Sequence, residues 1–166
     1  MSVKLYILLF WVGLFCVDLQ AQPVIQEADK ESEFLERFAG HVLQAFAFED
    51  CCDTDSLQIP IPELLKVMHW PDDPATVKQM QGLMETDNRI LRGRLLELRQ
   101  STRKFQWAKA RILRSELKLD PSNRLYCNIL VSFQEGKHQI DLDFSQVYVT
   151  PSGFFLRSTS GMQVRN

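Results

Sequence analysis

The chain has 166 residues, of which 45% are hydrophobic and 24% charged, and its 19 basic and 21 acidic side chains leave a net charge of -2. A chain so evenly balanced is not a globally charged binding protein, and nucleic acid is not expected as a partner. Its size suits one well-packed domain and is short for two.

At the N-terminus Lys4 precedes an apolar run from Leu5 to Cys16. That run falls well short of the roughly 20 residues a membrane-spanning helix needs. A short apolar core behind a positive charge has the form of a secretory signal peptide, and Ala21 supplies a small residue before the cut. The reading is therefore a signal peptide at 1–21 and a single domain at 22–166, secreted and without a transmembrane anchor. Phe15, ahead of Cys16, is too large for a lipoprotein signal. Cleavage removes Lys4 and Asp18 together, so the net charge of the mature chain is unchanged.

In "ESEFLERFAGHVLQAF", Phe34, Phe38, Val42 and Phe46 recur every four residues, which predicts an amphipathic helix. The alternation of Phe46 and Phe48 with small residues then suggests a short strand. "IPIPELLKVMHW" predicts a second helix with Pro62 in its first turn. Asp73 followed by Pro74 marks a third helix start, with the carboxylate capping free N–H groups, and an apolar stripe continues to Gln100. "ETDN", from Glu85 to Asn88, interrupts it with weak helix formers and suggests a kink between two helices.

Beyond "STRKF" the period changes from helix to strand. "WAKARILRSELKL", "RLYCNILVSF", "HQIDLDFSQVYV" and "GFFLRS" predict an antiparallel meander of about four strands, with turns at "DPSN", at "QEGK" through Gly136, and at "TPSG". Helices first and sheet second make this an α+β domain, with helices packed on a bent C-terminal sheet.

Charge is unevenly spread along the chain. From Glu49 to Asp87 nine acids face two lysines, whereas from Arg89 to Lys118 ten bases face two acids. On a helical wheel Arg89, Arg92, Arg99 and Arg103 gather on one side, opposite Leu91, Leu95 and Leu98. Such a basic face suits an anionic lipid or polysaccharide outside the cell, as well as an ordinary solvated helix surface.

Three cysteines remain in the mature chain. Neighbouring Cys51 and Cys52 are poorly placed to bond each other, so the expected disulfide joins Cys127 to Cys51 or Cys52 and leaves one thiol over. "CC" lacks the spacing for a shared zinc, and no metal or other cofactor is expected.

Asp141 and Asp143 lie one residue apart in the third strand, on the face opposite Ile140, Leu142 and Phe144. A spacing of about 7 Å permits acid/base work but does not indicate it, and the expected reading is a solvated sheet face. Val147 and Val149 fall on the opposite parity, which predicts a bulge or bend near Ser145 and Gln146. Nucleophile-elbow, P-loop, zinc-protease and dinucleotide motifs are all missing, as is an N-glycosylation sequon.

The segments "FLERFAGHVLQAF", "FAFEDCCDTDSLQIPIPELLKVM" and the long meander from Ala110 to Ser158 resemble, in order and pattern, the nuclear transport factor two-like superfamily, also called the cystatin-like cone. That resemblance implies a cone of sheet and helix around an apolar interior. In enzymes of the superfamily an aspartate base works there with a tyrosine or histidine, and Asp143, Tyr148 and His41 are the nearest counterparts here. Many members are not enzymes. The expectation is a secreted, non-catalytic domain that binds a small apolar ligand or a protein partner, including a second copy of itself. The pocket residues would be Phe38, Val42, Phe46, Trp70, Phe144 and Tyr148. The alternatives are an isomerase or cyclase using a pocket aspartate, and a binder of anionic polysaccharide or lipid through the basic helix.

Overall fold

The computed structural model describes residues 28–47, 54–119, 125–157 and 161–165; the proposed signal peptide, Phe48, Cys51, Cys52 and the "DPSN" turn lie outside them. The chain folds as α1 (Ala28–Ala47), α2 (Ile61–Val67), α3 (Pro74–Ser101), then β1 (Arg111–Leu119), β2 (Tyr126–Glu135), β3 (His138–Thr150), β4 (Gly153–Phe155) and β5 (Met162–Arg165). The expected α+β order, helices followed by a bent antiparallel sheet, is present.

In α1 the four-residue apolar repeat faces the sheet, and Phe38, Val42 and Phe46 are fully buried. Asp29 and Glu31 occupy its first turn, where carboxylates meet the positive end of the helix dipole. Phe46 belongs to this helix, and the rest of the expected short strand, from Phe48 on, lies outside the described residues. The extra extended contact comes later, where Gln58 bridges Leu156 and the Leu156 N–H donates to the Leu57 carbonyl at 2.7 Å.

Asp73 caps α3 as expected, accepting from the N–H groups of Ala75 and Thr76 at 2.9 and 3.0 Å. These bonds stabilise the carboxylate and hold its pKa below the usual value. The helix then runs 28 residues without the expected break, about 42 Å. The weak helix formers in its middle do not compete for the local backbone in a way that ends it. The Thr86 hydroxyl bonds back to the Gly82 carbonyl at 3.2 Å, and the Asn88 side chain is engaged by Thr54 and Asp55.

The strands form the expected meander, β1-β2-β3-β4, and β5 adds a further antiparallel pairing on β3. Gly136 at φ 58° turns β2 into β3. The predicted bulge is present. Cys127 pairs with Val147 and Ile129 with Phe144, so Asn128 opposes both Ser145 and Gln146, and Gln146 takes φ 58°. The extra residue bends β3 and returns Val147 and Val149 to the buried face.

Between helices and sheet the core is built from aromatic rings. Phe38 meets Phe144 edge to face at 5.5 Å, Phe46 stacks on Trp107 at 4.4 Å, and Trp107 meets Phe133 at 5.3 Å. The buried Trp107 indole N–H is satisfied by the Thr102 hydroxyl at 3.1 Å. Leu91 and Leu95 close the cluster from α3. Such a core removes several large side chains from water, each contributing about 2 kcal/mol.

Candidate functional site

Side chains alternate across the strands, so the face of the sheet turned away from the core is fixed by register. Tyr126 pairs with Tyr148, and Tyr148 with Phe155. The three rings form a row across β2, β3 and β4, all partly exposed. The tyrosine rings lie 5.1 Å apart and tilted by 44°. Arg157, just beyond β4, sets its guanidinium 5.4 Å from the Tyr126 ring centre and donates to the Tyr126 hydroxyl at 3.3 Å. Burial, with Tyr126 beside it, pushes the Tyr148 phenol up to about 12, so it is neutral at physiological pH.

Next to this row the same face carries charge. Asp141 lies opposite Ser132 and Arg165, and Asp143 opposite Leu130 and Gln163. Arg114 donates from Nε to the Ser132 hydroxyl at 3.1 Å and approaches Asp141 at 4.0 Å, while Arg165 pairs with Asp143. Burial would raise the Asp141 carboxyl, but hydrogen bonds from Gln139 and Ser132 and the charges of Arg114 and Arg165 outweigh it and hold the pKa below the usual range. Asp141 and Asp143 are thus each paired with an arginine on a sheet face.

Asp143, Tyr148 and His41 do not converge. Asp143 and Tyr148 are five residues apart along β3, on the order of 13 Å even allowing for the bulge. His41 sits on α1, on the core side of the sheet, while both β3 side chains point to the other side. The six residues expected around a pocket also separate. Phe38, Val42, Phe46 and Phe144 are core with at most 2% exposure, Trp70 is 42% exposed between α2 and α3, and Tyr148 belongs to the outer row.

The four arginines of the expected basic face divide as well. Arg89 and Arg92 lie in the middle of α3, where Arg92 reaches the Thr54 hydroxyl at 3.4 Å. α3 ends at Ser101 with Thr102 as its C-cap, so Arg103 stands outside the helix. Arg99 and Arg103 line a groove of about 600 Å³ together with Leu96, Phe105 and Trp107. A second groove of about 460 Å³ lies on the other side of Phe105, where Arg103 is joined by Lys104 and His138.

Cys127 is a free, buried thiol, and no disulfide forms among the described residues. That differs from the expected bridge. Burial, with a smaller effect from Glu31, pushes its pKa up to about 12, which keeps the sulfur protonated and unreactive. Among the described residues no cluster of metal-ligating side chains occurs, and no helix is long and apolar enough to cross a membrane.

No family model, curated protein or solved structure matches the chain. Tyr148 is a candidate from the sequence, whereas Tyr126, Phe155 and Arg157 come beside it only through strand pairing. Likewise Lys104 and His138 join Arg103 through the end of α3 and the β2–β3 turn, not through a helical wheel.

Proposed function

We propose that the chain is a secreted, non-catalytic binding domain of the cone type whose working surface is the outer face of its sheet, and that its first partner there is a second copy of itself. The observation that carries this reading is the row Tyr126, Tyr148 and Phe155 with Arg157 on the solvent side of the sheet. Tyrosine and arginine dominate the energetics of protein interfaces, and rings left partly exposed in a row gain most when a partner excludes water from them. A ligand inside the cone is less well supported, because four of the residues expected to line it, Phe38, Val42, Phe46 and Phe144, are packed in the core.

Charge supports a self-contact. The face carries both signs, with Arg114 and Arg165 beside Glu116, Asp141 and Asp143, so two copies related by a two-fold axis can oppose unlike groups. β1, β2 and β3, of 9, 10 and 13 residues, with the short β4 and β5 along the free edge of β3, give a face of roughly 20 by 30 Å. That is about 600 Å² per copy, close to the 800 Å² typical of a specific interface.

A photo-cross-linking side chain in place of Leu130, which lies between the tyrosines and the carboxylates, tests the contact. Cross-links should join Leu130 to outer-face peptides of β2, β3 or β4 from another molecule. Cross-links confined to helix surfaces, or none at concentrations well above micromolar, would refute the reading.

A further inference from the structure

The two grooves at the C-terminal end of α3 share Arg103 and Phe105 and lie side by side. Their linings contribute Arg99, Arg103, Lys104 and His138, and no carboxylate appears in either lining among the described residues. Two lysines belong to the same end of the fold. Lys137 lies in the turn next to His138, and Lys109 follows the loop that forms the first groove. Arg103 and Lys104 are exposed and make no ion pair among the described residues. Glu135 pairs with His138 across that turn, so Arg99, Arg103, Lys104 and the two lysines stand against one carboxylate, a local excess of positive charge in a chain of net charge -2.

From this arrangement we infer a docking site for a sulfated polysaccharide chain, with Arg103 at its centre and the polymer lying across both grooves. Three features select that partner. Adjoining grooves accommodate a linear polyanion better than a single small anion, since each supplies cations to successive charged groups. The floor rings, Phe105 and Trp107, are 6% and 5% exposed, too covered to take up an acyl chain, so the recognition is by charge and polar contact. The neutralised polymer also releases its bound counterions, which drives association in the absence of deep burial. The inference rests on the extracellular location proposed above, but not on the sheet-face contact.

The test is retention of the full mature protein on immobilised heparin, with binding measured across a range of salt concentrations. The wild-type chain should bind at physiological ionic strength. Arg103→Gln with Lys104→Gln should weaken binding about tenfold and reduce the slope of log affinity against log salt by about one to two. Lys78→Gln with Arg89→Gln removes the same charge from exposed positions farther along α3, about 15 Å or more from Arg99, and should change binding less than twofold. Equal loss in the two double variants would overturn the site, since net charge alone would then govern binding. So would failure of wild type to bind heparin, or binding to phosphatidylserine vesicles in its place, which would assign the cations to a membrane. Absence of the protein from the culture medium would count against the location and be distinguishable from all of these.

Discussion

Replacing Phe38 with alanine distinguishes a filled interior from a ligand pocket. The Phe38 ring is 2% exposed and meets Phe144 edge to face at 5.5 Å, with Val42 and Leu142 fully buried in the same core cluster. Truncating a fully packed phenylalanine costs about 3–5 kcal/mol, because transfer energy is lost and the cavity collapses only in part. The lost ring pair accounts for about 1 kcal/mol of that range. For a domain of this size the unfolding entropy is roughly 0.3 kcal/mol per degree, so a loss of about 4 kcal/mol lowers the melting temperature by about 13 °C. Urea denaturation followed by circular dichroism should show an earlier midpoint with an unchanged slope. A loss below about 1.5 kcal/mol with full cooperativity would refute the reasoning, since it would mean the ring borders open space that a ligand could occupy.

Trp70→Ala removes an exposed ring and should stay within about 0.5 kcal/mol of wild type in the same assay. Asp141 gives a pH dependence of known sign. Its folded pKa is depressed, so its stabilisation is present above the ordinary carboxylate value and is lost as pH falls through the folded one. Asp141→Asn should therefore flatten the fall in urea midpoint below about pH 4, and an unchanged fall would show that Arg114 and Arg165 do not hold this carboxylate. Cys127, with its pKa pushed up to about 12, should resist alkylation in the native protein and react after unfolding. Modification of the Cys127 peptide under native conditions would mean that this part of the core opens.

Much of the fold was legible because its signals are local. The four-residue repeat of Phe34, Phe38, Val42 and Phe46 needs only a helix to make sense, and Asp73 before Pro74 fixes the start of α3. The parity change between Phe144 and Val147 located the bulge, since two buried sets on one strand require an extra residue between them. The continuity of α3 was not legible. Thr86 and Asn88 are weak helix formers alone, and what occupies Asn88 lies more than thirty positions earlier, at Thr54 and Asp55. β5 also escaped notice, because four residues are too few for alternation to stand out.

The outer-face row was legible only in part. Tyr148 has no distinguishing sequence motif, and Tyr126 is more than twenty positions away. Their pairing follows once the Gly136 turn sets the register of β2 on β3 and the bulge shifts it by one. The basic end was hidden for a different reason. A helical wheel carries Arg103 into a helix that in fact stops at Ser101, whereas the groove it shares with His138 depends on how α3 ends against the sheet.

Sedimentation equilibrium of residues 22–166, compared with the same chain carrying Tyr126→Ser and Tyr148→Ser, decides whether the outer-face row joins two copies. Wild type should show a reversible monomer–dimer equilibrium at micromolar concentrations and the double variant a folded monomer. Wild type that stays monomeric, or a dimer equally stable without the two rings, would show that the row is not the contact.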